Sequence, residues 1–250
     1  MSSGELDFDS AWRAVPEPVR RALALAYESL AAGGLAVGAV LTDADGKVIA
    51  EGRNEAYEDG PGTGPLRGTP LAHAEMNALG AARTGWDLGA ATLWSTQEPC
   101  AMCAAAAGFT GVGRVRYLAP DPWALAGGFD GEPVAGPPGT QGESEASPGE
   151  SGMPGDSGTA RPWRESGTGP GAHAWLLTAN AMFLRCVAMA ATGPGEPRIL
   201  THHRTTEPET TALHDSLPAG LPTAASVEDW LRPLWTGVTE LAAARRRRTG

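Results

Sequence analysis

Apolar residues along the first half of this chain repeat first at helical and then at strand spacing. Residues 16–32 carry one apolar stripe at helical spacing and end at Gly33-Gly34, so they predict a helix. Two β-rich runs follow, at Leu35–Thr42 and Lys47–Arg53, joined by a hairpin signal at residues 43–46. The next predicted elements are a helix over Leu71–Arg83, a strand over Ala91–Thr96, a helix over Cys100–Phe109 and a strand over Val112–Leu118. This alternation predicts an α/β fold with helices on both faces of the sheet.

The pattern changes after residue 126. Residues 127–171 are rich in Gly, Pro, Ser and Glu and poor in apolar side chains, which predicts a flexible insertion. A helix over Ala174–Ala190, a loop-rich connection over Gly193–Ala225 and a last helix from Val227 to about Arg245 follow, and Pro233 should kink that last helix or mark its true start. We therefore expect a core of residues 1–126, an insertion of residues 127–171 and a C-terminal helical extension of residues 172–250 that packs on the core.

The net charge and the number of cysteines indicate which class of partner and which cellular compartment to expect. The 250 residues carry a formal net charge of −10, which disfavours a nucleic-acid partner because phosphates would be repelled. Only three cysteines are present, and two of them belong to the motif described below. Cys186 is then left without an intramolecular partner, so we expect no disulfide framework and a reducing, cytoplasmic location.

Neither a leader sequence nor a membrane span is expected. Residues 1–10 are acidic and lack an apolar stretch, unlike a signal peptide. The longest apolar run, Ala172–Ala191, is interrupted by His173, Asn180 and Arg185, so it predicts a buried helix and no membrane contact.

Two short motifs carry the candidate chemistry. His73-Ala74-Glu75 is followed about two dozen residues later by Pro99-Cys100-Ala101-Met102-Cys103, and Pro70 and Pro99 each stand where a helix can begin. His73, Cys100 and Cys103 would give zinc three protein ligands and one open position, as in catalytic zinc sites. A structural zinc knuckle, or two buried cysteines with an unrelated histidine, is the alternative. Glu75 would have no role in such a structural site, whereas in a hydrolytic site it is a proton shuttle.

These residues resemble the signature of the cytidine deaminase-like superfamily, and specifically the branch of tRNA adenosine deaminases and bacterial guanine deaminases. The resemblance covers about residues 15–123. It implies a three-layer α-β-α sandwich with a mixed sheet of about five strands, to which this chain adds C-terminal helices. It further implies Zn²⁺ as cofactor, hydrolytic release of ammonia, Glu75 as the catalytic residue and a homodimer. Asn54 and Ala74 are the substrate contacts that it suggests, although an Asn after a strand is also a common turn residue.

The chain departs from this family at two places. Ala36-Val37-Gly38-Ala39 stands where family members usually have Pro-x-Gly-Ala. The fourth predicted strand is followed by Pro120-Asp121, which keeps only the Asp of the run found in the tRNA enzymes. Basic residues are also sparse around the motif. We therefore expect a free nucleobase or nucleoside substrate, with purines slightly favoured. The alternatives are a tRNA-specific adenosine deaminase and a catalytically silent deaminase-fold binding partner.

Three further groups of residues have weaker claims to a function. His202-His203 lies in a predicted polar loop, where a solvated pair is expected rather than a second metal site. Trp123 could stack on a substrate ring or pack in the core. Arg245–Arg248 could contact RNA, but a short basic end on an acidic protein is more often solvated.

Overall fold

The computed structural model describes residues 7–58, 64–122, 161–162 and 171–250. The helices are α1 (Phe8–Ala14), α2 (Glu17–Ala31), α3 (Ala74–Gly80), α4 (Ala101–Phe109), α5 (Gly171–Ala190), α6 (Arg198–Thr206), α7 (Pro208–Ser216), α8 (Val227–Leu231) and α9 (Trp235–Thr249), with short 3₁₀ turns at Leu88–Ala90 and Arg232–Leu234. The strands are β1 (Gly38–Thr42), β2 (Val48–Arg53), β3 (Thr92–Gln97), β4 (Arg114–Ala119) and β5 (Arg161–Pro162).

The strands form one mixed sheet in the order β2-β1-β3-β4-β5. β1 pairs antiparallel with both β2 and β3, whereas β3 with β4 and β4 with β5 are parallel. Four strands have five or six residues, and β5 has two. Those two residues lie within residues 127–171, where composition predicted only a flexible insertion. Of that predicted insertion, residues 127–160 and 163–170 lie outside the described residues.

Helices cover both faces of this sheet, as two glycines show. A Cβ on Gly38 would collide with the backbone of α2 at Ala22 and Ala26, and a Cβ on Gly52 would collide with the backbone of α3 at Ala74 and Ala78. Glycine therefore allows each helix to lie directly against its strand. The expected α/β sandwich with a mixed central sheet is confirmed.

The C-terminal helices contact the sheet and α2. α5 packs against β4 and α2, and α9 packs in turn against α5 and α7. Side chains of α5 such as Trp175 and Met182 share one buried apolar cluster with Val19 and Leu23 of α2. The apolar run Ala172–Ala191 thus forms α5 as far as Ala190, and most of this helix is buried, as its interrupting polar residues predicted. No helix within the described ranges is long and apolar enough to cross a membrane.

Several predicted boundaries were wrong. Gly193–Ala225, expected to be loop-rich, contains α6 and α7, which begin just after Pro197 and at Pro208. Both helices bury apolar side chains despite their polar composition. The helix expected over Leu71–Arg83 spans only Ala74–Gly80. Before it, the backbone N–H of His73 donates to the carbonyl of Leu71 in a turn, and after it the N–H groups of Ala81 and Ala82 donate to carbonyls three residues back. The interruption at Pro233 is confirmed as the 3₁₀ turn between α8 and α9.

Candidate metal and active site

Two helix starts place the motif side chains at one point. His73 is the N-cap of α3, and Glu75 lies in the first turn of that helix. Cys100 is the N-cap of α4, and Cys103 lies one turn further along it. Both N-cap residues have extended backbone angles, so they precede the helical turns rather than lie within them.

The three ligand atoms have the spacing that zinc needs. Nδ1 of His73 lies 3.6 Å from Sγ of Cys100 and 3.5 Å from Sγ of Cys103, and the two sulfur atoms are 3.6 Å apart. Tetrahedral coordination with ordinary Zn–N and Zn–S bond lengths would separate neighbouring ligand atoms by about 3.5–3.8 Å. These residues therefore fit Zn²⁺ and leave one coordination position for another ligand. Elsewhere in the described ranges, His, Cys, Asp and Glu do not form another cluster of three this tight.

The two cysteine thiols have different electrostatic surroundings. Hydrogen bonds from Cys103 and then His73 lower the pKa of Cys100 to about 3. The neighbouring Cys100 sulfur and burial raise the pKa of Cys103. Zinc is bound by thiolates, so metal binding through both cysteines would release the proton of Cys103.

Glu75 is buried beside this ligand group. Glu75 is only 3% exposed, and this burial raises the pKa of its carboxyl group above the usual value of 4.5. The hydroxyl of Ser95 on β3 donates a hydrogen bond of 2.9 Å to Oε1 of Glu75. Sequence reasoning missed Ser95, because its only local signal is its position on the strand before the Pro-Cys-x-x-Cys motif.

Asn54 forms a turn directly after β2. Its side-chain Oδ1 accepts a hydrogen bond of 3.1 Å from the backbone N–H of Ala56, which is the geometry expected of an Asn in a turn. The backbone N–H of Glu55 donates to the carbonyl of Ala72 at 2.9 Å, so this turn lies next to the residue that precedes His73. Ala74 is fully buried at the start of α3. Contact of Asn54 or Ala74 with substrate stays a prediction.

Ion pairs occupy the basic side chains near this turn. Arg53 pairs with Glu58 and, at 3.2 Å, with Glu55, and Arg67 pairs with Glu58 at 3.2 Å. The hydrogen bond from Arg53 lowers the pKa of Glu58, which keeps that carboxylate charged. These guanidinium groups already have carboxylate partners.

The weaker candidates for a functional role are the histidine pair and Trp123, and the histidine pair lies in a different environment from the one predicted. The pair His202-His203 lies on α6 rather than in a polar loop, and His203 is fully buried, with Nδ1 2.9 Å from the carbonyl of Ile199. The expected solvated pair was therefore wrong. Trp123 lies outside the described residues.

The basic end of α9 is only partly solvated, in contrast to the prediction. Arg245 pairs with Glu207 and Arg248 with Glu209, each at 2.7 Å. Arg246 and Arg247 are exposed.

Comparisons with known proteins agree with the motif. Residues 16–119 match the family model described as the cytidine and deoxycytidylate deaminase zinc-binding region. The chain is 40% identical over 108 residues to a tRNA(Ile)-lysidine synthase of Deinococcus radiodurans, a match covering 42% of this chain and 17% of that protein. It is 38% identical over 109 residues to a tRNA-specific adenosine deaminase of Haemophilus influenzae, covering 41% of this chain and 57% of that one. It thus spans less than two thirds of either relative.

Solved structures related to this chain include a tRNA:A34 deaminase and the guanine deaminase from Bacillus subtilis. The first is 36% identical, with 42% of this chain and 76% of that chain covered and a TM-score of 0.36. The second is 33% identical, with 45% of this chain and 69% of that chain covered and a TM-score of 0.36. On the family-model match, the identity to the tRNA-specific adenosine deaminase and the His-Cys-Cys group, the chain belongs to the cytidine deaminase-like superfamily, near the branch of tRNA adenosine deaminases.

Proposed function

We propose that this chain is a zinc-dependent hydrolase that removes the amino group of a free nucleobase or nucleoside as ammonia. The observation that supports the proposal most strongly is the buried carboxylate of Glu75 beside three zinc ligands that leave one coordination position open. A structural zinc site would be closed by a fourth protein ligand and would not need that carboxylate.

The chemistry follows from the side chains present. His73, Cys100 and Cys103 would hold Zn²⁺, which lowers the pKa of a bound water towards about 7. Glu75 takes a proton from the attacking water and delivers it to a ring nitrogen of the substrate. As the water oxygen bonds to the amidine carbon, the ring C=N bond becomes a single bond. Glu75 then takes the remaining proton of the added hydroxyl and delivers it to the amino group. The C–N bond to that group breaks as the C=O bond forms, and ammonia leaves with a carbonyl product behind.

The charges near the site favour a small substrate over a polynucleotide. Arg53 and Arg67 are engaged by Glu55 and Glu58, and the whole chain carries a net charge of −10. Phosphate contacts normally require available Lys or Arg side chains. Among small substrates we favour purines, because Asn54 and Glu98-Pro99-Cys100 resemble the guanine and tRNA adenosine deaminase branch.

A tRNA-specific adenosine deaminase is the second candidate, and one observation favours it. The two named curated relatives, at 38–40% identity, are called a tRNA(Ile)-lysidine synthase and a tRNA-specific adenosine deaminase. A catalytically silent binding partner is a third candidate, but it would have no need for Glu75 beside a complete ligand set. We also propose that the chain forms a homodimer and is located in the cytoplasm. The three free cysteines are consistent with such a reducing compartment.

An ammonia-release assay tests the proposal. The zinc-loaded protein is incubated with adenine, guanine, cytosine, their nucleosides and an anticodon stem-loop RNA. Glu75→Gln is the control, since it keeps the side-chain size and should lose about a hundredfold or more in turnover while zinc stays bound. Release from a base or nucleoside by wild type alone supports the proposal. Inosine formed only in the RNA would favour the second candidate, and no release from any substrate would favour the third.

A further inference from the structure

The buried carboxylate of Glu75 has a defined hydrogen-bond donor on the central strand of the sheet. Ser95 and Glu75 are 2% and 3% exposed, and the Ser95 hydroxyl donates to Oε1 of Glu75 at 2.9 Å. Because both side chains are buried, bulk water does not compete for this bond.

The backbone sets the direction of that hydrogen bond. A serine hydroxyl has one hydrogen to donate and can accept at its oxygen. The backbone N–H of Gln97 donates to Oγ of Ser95 at 3.3 Å, so the oxygen already has a donor on one side. The hydroxyl hydrogen is then directed to Glu75. Two hydrogen bonds therefore run in series, from the N–H of Gln97 to Ser95 and from the hydroxyl of Ser95 to Oε1 of Glu75.

The sheet holds Ser95 in place from both sides. In β3, Ser95 is paired with Ala39 of β1 and with Tyr117 of β4, so its Cα position is fixed by two neighbouring strands. The hydrogen bond connects this strand to the first turn of α3, where Glu75 lies two residues after His73. The carboxylate of Glu75 is thereby tied to the central strand of the sheet as well as to its own helix.

We infer that Ser95 is a positioning residue for the proton shuttle, an inference that rests on the proposed function. Ser95 holds Oε1 of the carboxylate that would exchange protons with water and substrate, and so restrains the orientation of that carboxylate. Proton transfer needs its two heavy atoms within about 2.6–3.2 Å of each other, and small displacements of reacting groups are costly to the rate. Ser95 therefore acts on the rate through the orientation of the Glu75 carboxylate and does not itself touch substrate.

The kinetic test compares Ser95→Ala with Ser95→Thr, which keeps the hydroxyl. Thr92→Val is the matched control, because it removes a hydroxyl from the same strand at the end away from the motif. We expect Ser95→Ala to lower kcat about ten- to a hundredfold, with KM within about threefold of wild type and zinc content and Tm unchanged. Ser95→Thr should recover most of kcat, and Thr92→Val should leave it unchanged.

Two kinetic results would overturn the inference. One is a wild-type kcat in folded, zinc-loaded Ser95→Ala. The other is an equal loss of kcat in Ser95→Ala and Ser95→Thr when both have the wild-type Tm, since packing rather than the hydroxyl would then matter.

A readout that needs no substrate separates this inference from the proposed function. Crystal structures of wild type and Ser95→Ala should show the Glu75 carboxylate in one orientation in the first and in several in the second. If wild type releases no ammonia from any substrate, the proposed function has failed, and these structures still decide whether Ser95 orients Glu75. One unchanged carboxylate orientation in both proteins would contradict the role of Ser95.

Discussion

At the scale of single residues, the metal ligands make the most direct prediction. Purified protein should contain one zinc per chain, and Cys100→Ala combined with Cys103→Ala should lose it, because a lone imidazole is a weak zinc site. Cys186→Ala is the matched control, since it removes a buried thiol of α5 that is not part of the ligand group. Elemental analysis measures the outcome. Equal zinc content in the double variant and wild type would show that these cysteines do not bind the metal.

Residue patterns in the sequence predicted only part of the candidate site. His73, Glu75, Cys100 and Cys103 are found by their spacing, because each lies at the start of a helix that a proline precedes. Ser95 could not be found in this way. Its contact with Glu75 depends on how α3 lies across β3, which is set by tertiary packing rather than by any local pattern.

At the scale of secondary-structure elements, α2 and the four long strands could be predicted because their apolar spacing is regular. The failures have physical reasons. α6 and α7 are rich in Thr and His, which are weak helix formers, and they are stabilised by burying Ile199, Leu200 and Leu213. β5 has two residues and no periodicity that a sequence can show.

The buried helix α5 contains an asparagine that should cost stability. Asn180 is 1% exposed, and neither amide atom has a hydrogen-bond partner among the described residues. Asn180→Leu should therefore stabilise the protein by about 1–2 kcal/mol, because it removes unpaired polar atoms and improves helix propensity. Chemical denaturation measures the change in the free energy of unfolding.

Asn77→Leu is a control that should change the free energy of unfolding in the opposite direction. The amide of Asn77 donates to the carbonyl of Arg53 at 2.9 Å, so Asn77→Leu should destabilise the protein. If Asn180→Leu also lowers the free energy of unfolding, the expected gain from removing the Asn180 side-chain amide is contradicted.

The contact between α7 and α9 should make stability depend on pH. A hydrogen bond from Arg248 lowers the pKa of Glu209 below its usual value of 4.5. Since the folded state favours the charged carboxylate, this pair stabilises the fold above about pH 4.5 and stops doing so as pH falls through the lowered pKa. Glu209→Gln should lower stability at pH 7 by about 1 kcal/mol, a difference that shrinks towards acidic pH.

Thermal unfolding of Glu209→Gln and wild type between pH 7 and pH 3 checks this dependence. Glu240→Gln is the control, because Glu240 is exposed on α9 and makes no ion pair within the described ranges. A difference between Glu209→Gln and wild type that stays constant over the whole pH range would contradict the electrostatic explanation.

At the scale of the whole molecule, charge bears on the choice between a small substrate and tRNA. A protein that holds tRNA replaces counterions on several phosphates with its own Lys and Arg side chains. Here Arg53, Arg67, Arg245 and Arg248 are all paired with glutamates. Other cations, such as Lys47, Arg114 and Arg246, are exposed, but they lie on separate elements of a chain whose net charge is −10, so we do not expect them to hold a polyanion at physiological salt.

We therefore expect no gel shift of an anticodon stem-loop at micromolar protein in about 150 mM salt, where a protein relying on a few phosphate contacts loses most of its affinity. Weak binding at low salt should decrease in Arg246→Glu combined with Arg247→Glu, because this change replaces two exposed cations at the end of α9. The same RNA is also assayed for inosine. A micromolar complex at physiological salt together with inosine in the RNA would contradict the small-substrate proposal, since the chain would then bind phosphates despite its charge.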